Sequence, residues 1–313
     1  MASSTSPAGS QAVVMRILLQ CTIPYAADDW HIGRFRLLAN VLRNAGHVVL
    51  ARDLEPSSRN GDPMLSRLSR DDFDELWLLG VDGGQTPALS PSDIAAVNAF
   101  QRAGGGLLTT RDHEDMGKWL RQIDGVGRAH YFHASDCCEP HPDRQRPDDL
   151  GTTTISWPNY HSGANGDFQR VDAVEPLHPL LARADGQRVE RFPAHPHEGA
   201  VGVPPGEPRA RAVARGRSAT TGRTFDLVVA FERDGFAGRA IAESSFHHLA
   251  DYNWDPSRGA PSFVTEPAGD GMRRDPRALD DIHAYVANAA RWLAPPDVER
   301  SRNEGDSTLE DDP

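Results

Sequence analysis

Three short clusters of histidine and acidic residues could carry chemistry in this sequence. They are Asp-His-Glu-Asp at 112–115, His-x-His-Glu at 195–198, and His-His at 247–248, which is followed by Asp251 and Asn253. Neutral imidazole together with carboxylate is the usual ligand set for Zn²⁺ and related divalent ions. On an extended segment, the two rings of a His-x-His motif point to the same side, because side chains alternate with a period of two. The clusters therefore predict either a metal centre or an acid–base site.

The first hypothesis is a mononuclear divalent metal centre, with zinc as the first choice of ion. The predicted ligands are histidines from the three clusters: His113, His197 or His195, and His248. Asp112 or Glu198 would act as a further ligand or as the general base. Such an ion would acidify a bound water for hydrolysis, or it would polarise a carbonyl group.

The second hypothesis uses the same residues without a metal. Asp112 and His113 are predicted at a helix N-terminus, where the dipole stabilises an anion and favours neutral imidazole. Paired with His248, they would move a proton on a sugar-like or carbonyl substrate. Helix capping alone is an equally good explanation for the acidic residues at 114–115. His247 and His248 cannot both point the same way along a strand, so one of them is predicted to be structural. The neighbouring Arg111 is predicted to be exposed.

The clusters follow predicted strands, and this placement favours a shared site. Apolar runs predict strands at 13–20, 48–51, 75–80, 107–110, 189–192, 211–216, 225–231 and 238–245. Helical spacing of apolar residues predicts helices at 32–45, 92–102 and 276–293, and a further helix that starts at Asp112. This alternation predicts an α/β protein with an open, mostly parallel, doubly wound sheet of the flavodoxin-like kind. The carboxyl ends of its parallel strands share one edge, so clusters that are distant in sequence can converge there.

Charge and composition disfavour several classes of function. The chain has 313 residues and a formal net charge of −12, which disfavours a general nucleic-acid binder or a protein of anionic membranes. No apolar run approaches the roughly 20 residues that span a bilayer. Three cysteines are too few for a disulfide framework, so a cytoplasmic setting is expected.

One α/β domain is predicted over residues 13–298. The segments 1–12 and 299–313 are predicted to be disordered tails, the second of them acidic. Residues 125–168 are rich in Gly, Pro, Asp and His and lack periodicity, so they are predicted to form a long irregular insertion that lines a site or packs over the surface.

Two segments resemble the class I glutamine amidotransferase-like superfold and, within it, the trehalose-utilisation-type (ThuA-like) proteins. In the first, a helix runs into Ala-Gly-Gly-Gly-Leu-Leu at 103–108, and His113 follows at the elbow. In the second, a Gly-Arg-Ala-Ile strand at 238–241 ends at the histidines 247–248. The resemblance covers roughly residues 13–125 and 225–295.

The resemblance implies a hydrolase or a lyase/isomerase that acts on a small polar, carbohydrate-like or carbonyl substrate. It does not imply a glutaminase, because the elbow between Gly104 and Trp119 contains no cysteine nucleophile. The acid expected two residues after the histidine is also missing, since 249–250 are Leu and Ala. The alternative is a non-catalytic member of the superfold that uses the cleft for binding or assembly. A small-molecule substrate is the expected partner, and a homo-oligomer is left open.

Overall fold

An open α/β sheet forms the centre of the protein. The computed structural model describes residues 14–55, 61–80, 89–133 and 139–298. The predicted tails at 1–12 and 299–313 lie outside the described residues. The strands are β1 (Arg16–Cys21), β2 (Val48–Asp53), β3 (Glu75–Leu79), β4 (Gly106–Thr110), β5 (His130–Tyr131), β6 (Phe168–Arg170), β7 (Asp172–Ala173), β8 (Arg191–Pro193), β9 (Ala200–Val201), β10 (Ala210–Arg217), β11 (Thr224–Phe231) and β12 (Ala240–Glu243). The α-helices are α1 (Arg36–Asn44), α2 (Pro91–Arg102), α3 (Asp251–Trp254), α4 (Gly271–Arg274) and α5 (Pro276–Leu293).

The parallel half of the sheet has the strand order β2-β1-β3-β4-β12, and each neighbouring pair in it is parallel. This is the flavodoxin-like order of a doubly wound sheet. Beyond β12, the antiparallel strands β11, β10 and β7 continue the sheet, and the short strands β9 and β5 branch from β11. The predicted fold class is confirmed, with an antiparallel extension on one side.

The two faces of the sheet pack against different helices. On β1, Ile17 and Leu19 belong to the core layer that includes α1 and α5, whereas Leu18 belongs to the layer that includes α2. The strands β3 and β4 are buried along their whole length, as expected for central parallel strands. Helix α2 begins with a capping box formed by Ser90 and Asp93. Helices therefore cover both faces and leave the carboxyl edge of the strands to the loops.

The glycines at 104–106 allow α2 to turn directly into β4. Gly104 has a φ of 96°, a conformation that residues with a Cβ rarely adopt. A Cβ on Gly106 would lie 2.4 Å from the carbonyl oxygen of Leu293 at the end of α5. The predicted glycine turn and the strand after it are confirmed.

The helix predicted to start at Asp112 does not form. The chain turns after β4, and the next helical segment is a short 3-10 turn at Lys118–Gln122. Glu114 has a φ of 51°, which is incompatible with a right-handed helix. Its main-chain N–H donates to Pro158 O at 2.7 Å, and its side chain accepts from Ser156 N at 2.6 Å. These contacts with the insertion outweigh the local helix signals.

The described part of the predicted insertion at 125–168 packs beside the sheet. Its strand β5 pairs with β9, and Tyr160 forms a β-bridge with Glu198. The insertion therefore contacts two of the three histidine clusters, at the elbow and at 195–198. No helix in the described ranges has the length and apolar character that crossing a bilayer requires.

Candidate metal centre

Three loops bring Asp112, His195 and His247 together. Two of them follow the neighbouring strands β4 and β12 at the carboxyl edge of the central sheet, whereas the third follows β8, which pairs with β6 in a separate two-stranded sheet and not in the central sheet as predicted. Asp112 follows β4 by two residues, His195 follows β8 by two, and His247 follows β12 by four. Strands β4 and β12 are parallel neighbours in which Thr110 is aligned with Glu243, so the loops after them begin side by side. This edge is where doubly wound folds place their ligands.

The three side chains bring one potential ligand atom each into a small cluster. Asp112 Oδ1 lies 3.9 Å from His195 Nε2 and 3.8 Å from His247 Nε2. All three ligand atoms lie within 4.8 Å of one another, and all three residues are buried. Two atoms that bind the same ion at about 2.1 Å are at most about 4.2 Å apart, and both distances to Asp112 Oδ1 lie within this limit. The two imidazole rings stack with their centroids 3.4 Å apart.

Hydrogen bonds to Nδ1, the ring nitrogen that does not face Asp112, orient both imidazoles. His195 Nδ1 lies 2.9 Å from Asn165 Oδ1, which also accepts from Asn253 Nδ2 at 3.0 Å. His247 Nδ1 lies 2.6 Å from the Tyr252 hydroxyl. The carbonyl oxygen of Asn165 can accept but not donate, so the His195 proton is on Nδ1 and the lone pair is on Nε2. His195 Nε2 is buried and has no hydrogen-bond partner, as expected of an atom that is placed to bind an ion.

The surroundings favour the protonation states that metal ligands need. Burial alone would raise the pKa of Asp112, but His113 and His247 outweigh it and hold the pKa of this carboxyl well below its usual range. Burial lowers the pKa of His195 well below its ordinary value. Burial also lowers the pKa of His247, against the opposing effect of Asp112. A carboxylate and two neutral imidazoles are the forms that bind a divalent ion.

Two further predicted histidines lie on the other side of Asp112. His113 Nε2 is 3.8 Å from Asp112 Oδ2, and the His113 and His197 rings meet edge to face with their centroids 5.5 Å apart. His197 Nδ1 lies 3.3 Å from Oδ2 of the buried Asp149. Burial and the nearby His113 lower the pKa of His197. Both histidines line the same pocket as the centre, so they are placed for proton transfer beside it.

The remaining predicted residues, Glu198 and His248, lie in a separate buried network. His248 Nε2 is 3.1 Å from Glu198 Oε1, and His248 Nδ1 is 3.5 Å from Glu243 Oε2. Burial alone would lower the pKa of His248, but the two carboxylates raise it to about 10, so this imidazole is protonated at neutral pH and has no lone pair for a metal. Glu198 also accepts hydrogen bonds from three side chains: Ser162, Gln169 and Ser244. His247 is therefore the histidine of the 247–248 pair that faces Asp112. Glu198 lies outside the pocket and supports the centre from there.

Sequence reasoning missed three residues of this site, namely Asp149, Asn165 and Tyr252. Asp149 and Asn165 come from the insertion, where no periodicity marks a particular side chain. Tyr252 lies within the 247–253 stretch that the sequence marked out by its polar residues. Its ring and hydroxyl gave no separate signal, because a tyrosine that supports a histidine has no characteristic spacing.

Arg111 holds the elbow from inside the protein. The prediction that it is exposed is wrong: the residue is completely buried, and its guanidinium lies 4.3 Å from the centre of the Phe132 ring. It donates hydrogen bonds to the main-chain carbonyl oxygens of Asp112, Glu114 and Tyr131. Burial lowers the pKa of Arg111 to about 9. Arg111 thus fixes the loop that presents the Asp112 carboxylate.

A pocket of about 360 Å³ opens onto the centre. One end of it is formed by the ionisable residues Asp112, His113, His195, His197 and His247. Apolar residues from the β1–α1 loop, the elbow, the insertion and the loop before α4 line the rest, among them Ile23, Trp30, Met116, Ile155, Phe263 and Val264. This volume suits a small molecule.

No family model matches the chain, and no curated protein matches its sequence. Among solved structures, it is similar to a putative ThuA-like protein from Bacteroides uniformis, with 12% identity, a TM-score of 0.43, and coverage of 92% of this chain and 95% of that chain. It is also similar to a putative ThuA-like protein from Parabacteroides merdae, with 12% identity, a TM-score of 0.43, and coverage of 90% of each chain. A third similar structure is the Trypanosoma brucei CTPS glutaminase domain, with 15% identity, a TM-score of 0.41, and coverage of 91% of this chain and 99% of that chain. The first two carry the family name that the sequence resemblance gave.

Proposed function

We propose that this protein is a metal-dependent hydrolase that acts on a small carbonyl compound. The observation that carries the proposal is the convergence of the Asp112 carboxylate with the Nε2 atoms of His195 and His247 at the head of a pocket. Structural zinc sites are closed by four protein ligands, whereas catalytic sites use three and leave a position for water or substrate. Three ligands beside a pocket favour the catalytic kind.

The chain supplies both the ligands and the groups that move protons. A divalent ion at this centre would lower the pKa of a bound water or polarise a substrate carbonyl. In the proposed hydrolysis, the water oxygen bonds to the carbonyl carbon and the bond to the leaving group breaks. His197, whose Nδ1 lies 3.3 Å from Asp149 Oδ2, accepts the proton of the water and passes it to the leaving group. His113 lies between this pair and Asp112 and is placed to assist.

Zinc remains the first choice of ion, since histidine and carboxylate ligands suit it well. The same donor set also suits iron and manganese, so metal analysis must identify the ion. Of the two earlier hypotheses, the metal-dependent one has the stronger support, because it accounts for the buried and unpaired His195 Nε2.

A thiol nucleophile is not part of the proposal. The elbow contains no cysteine, and Cys21, at the end of β1, is buried. Burial raises the pKa of the Cys21 thiol to about 12, so it stays protonated and unreactive at neutral pH. The proposed hydrolysis therefore uses an activated water and not an acyl-enzyme on Cys21.

Metal analysis of protein purified without a histidine tag tests the proposal. We expect close to one zinc, iron or manganese ion per chain. Asp112→Asn, His195→Ala and His247→Ala should each reduce the bound metal to below about a tenth, because each removes a direct ligand. Far-UV circular dichroism checks that each variant is folded.

His283→Ala is the matched control, because it removes a half-buried histidine on α5 that is not part of this pocket. It should bind the same amount of metal as the native protein. The proposal fails if the native protein binds no ion after incubation with zinc, manganese and ferrous iron. It also fails if the ion persists in all three ligand variants. Either result favours the non-catalytic alternative.

A further inference from the structure

The pocket wall beside the metal ligands is apolar and partly aromatic, and its Trp30 ring lies 5.6 Å from the His247 ring, centroid to centroid. The Trp30 ring packs edge to face on Phe246 with the centroids 4.9 Å apart, and the Phe263 ring lies 6.4 Å from Trp30. Phe263 is 61% exposed and lines the pocket. Ile23 and Met116 continue this wall towards the elbow.

Apart from Glu266, the polar side chains of the pocket are grouped at its metal end, and two of them are already paired there. The Tyr252 hydroxyl pairs with His247 Nδ1, and Asn165 Oδ1 pairs with His195 and Asn253. The apolar wall therefore offers few partners for the hydroxyl groups of a sugar. Each hydroxyl that is buried without a partner weakens binding.

The pocket also has carboxyl groups but no lysine or arginine among its described lining residues. The carboxyl groups are those of Asp112 and Glu266. A substrate with a carboxylate or phosphate on the part that contacts this wall would meet Glu266 without a compensating cation. The wall suits an uncharged group.

We infer that the substrate carries an uncharged, flat apolar acyl group that stacks against Trp30 and Phe263, with its carbonyl at the Asp112, His195 and His247 centre. This inference rests on the proposed hydrolase function and specifies its substrate class. It departs from the carbohydrate-like substrate that the sequence resemblance implied, because the wall is apolar where a sugar would need hydrogen-bond partners. Trp30 and Phe263 are the residues that determine specificity.

Hydroxamic acids test this inference, because they bind divalent ions through one common head group and differ in their tails. Isothermal titration of metal-loaded protein would compare acetohydroxamate, benzohydroxamate, 4-carboxybenzohydroxamate and gluconohydroxamate. We expect benzohydroxamate to bind at least about tenfold more tightly than the other three. Of the four tails, only its tail is a flat apolar ring without a charge.

Phe263→Ala and Trp30→Ala should each reduce the preference for benzohydroxamate over acetohydroxamate to within about threefold. Phe263 is exposed, so its variant remains informative if Trp30→Ala fails to fold. Phe236→Ala is the matched control: Phe236 is 79% exposed and is not among the residues that line the pocket, so the preference should be unchanged.

The outcomes separate the inference from the proposed function. If all four hydroxamates bind with similar affinity, or if gluconohydroxamate binds most tightly, the inference is overturned and the metal centre stands. If the protein retains no metal and binds none of the four, the proposed function fails and the inference fails with it. If the preference survives in both wall variants, Trp30 and Phe263 do not determine specificity.

Discussion

The Asp112 carboxylate uses its two oxygens in different directions. Oδ1 faces the Nε2 atoms of His195 and His247, whereas Oδ2 faces His113. One buried anion therefore connects the proposed ion site to the histidines that are placed to move protons. Its position depends in turn on Arg111, which donates hydrogen bonds to the main-chain carbonyl oxygens of Asp112 and Glu114.

Asn165→Ala should weaken metal binding without abolishing it. Asn165 does not face the ion but accepts from His195 Nδ1 at 2.9 Å, and loss of such a partner typically costs about 10–100-fold in affinity. Competition with a fluorescent chelator measures this change. Asn288→Ala is the control, because Asn288 is a buried asparagine on α5 that donates to Leu180 and Ala182 carbonyls. Equal metal affinity in the two variants would show that Asn165 does not support metal binding.

His197→Ala should impair turnover while the metal stays bound. We expect the kcat for 4-nitrophenyl acetate hydrolysis by metal-loaded protein to fall by about 100-fold or more, since His197 is the proposed proton acceptor. Asp149→Asn should reduce kcat in the same direction, because Asp149 lies 3.3 Å from His197 Nδ1. Metal content measured on the same samples separates this role from ligation. Parallel loss of metal and activity would instead make His197 a ligand.

At the scale of elements, the sequence predicted every strand of the parallel half of the sheet and the edge at which the loops carrying Asp112 and His247 meet, but it missed the short strands β5, β6, β7 and β9. It failed where short turns replace regular structure. The alternation assumed for His247 and His248 is a property of strands, but these residues lie in a 3-10 turn, Phe246–Leu249, that Ser245 caps. Successive side chains in such a turn are about 120° apart, so His247 reaches Asp112 while His248 points into the core. Local pattern alone cannot reveal this choice.

Another short turn makes the stability of the fold depend on pH. His178 caps the 3-10 turn Pro179–Leu181 by accepting from Leu180 N at 3.2 Å, and its ring packs on Trp292. Burial lowers the pKa of His178 from 6.5 to about 4. The unfolded chain therefore takes up this proton at higher pH than the folded protein does. The stabilisation that His178 contributes is fully present above pH 6.5 and is lost as the pH falls towards 4. The total loss in the free energy of unfolding is about 3 kcal/mol.

His178→Asn should remove this dependence, because asparagine keeps a capping acceptor but does not titrate. Urea unfolding at several values between pH 7 and pH 4 measures the free energy of unfolding of both proteins. Over this range, the free energy of unfolding of the native protein should fall by about 3 kcal/mol more than that of the variant. Parallel pH profiles for the two proteins would show that His178 is not a buried neutral histidine.

At the scale of the whole molecule, the candidate site is assembled from three segments that are far apart in sequence. The parallel pairing of β4 with β12 explains why the loops carrying Asp112 and His247 meet, and the sequence was sufficient to predict that edge. The approach of His195 was harder to predict. It depends on β8 and on the insertion, where Ser162 accepts from the His195 main-chain N–H. Irregular segments of this kind are positioned by tertiary contacts that have no periodic signature.

Because the ligands come from separate segments, an ion should stabilise the whole fold. A ligand present at 100 times its Kd and bound only by the folded state adds about 2.7 kcal/mol, which corresponds to a Tm increase of about 5 °C. Differential scanning fluorimetry with zinc and then with EDTA measures this shift. Asp112→Asn should show no increase. An equal shift in that variant would indicate that the metal binds elsewhere.

The most direct test of the metal centre is anomalous diffraction at the absorption edge of the bound metal, from crystals of the metal-loaded protein. We expect one peak within about 2.0–2.3 Å of an Asp112 carboxylate oxygen and of the Nε2 atoms of His195 and His247. A peak on other residues, or an ordered site with these three side chains in place and no peak, would contradict it.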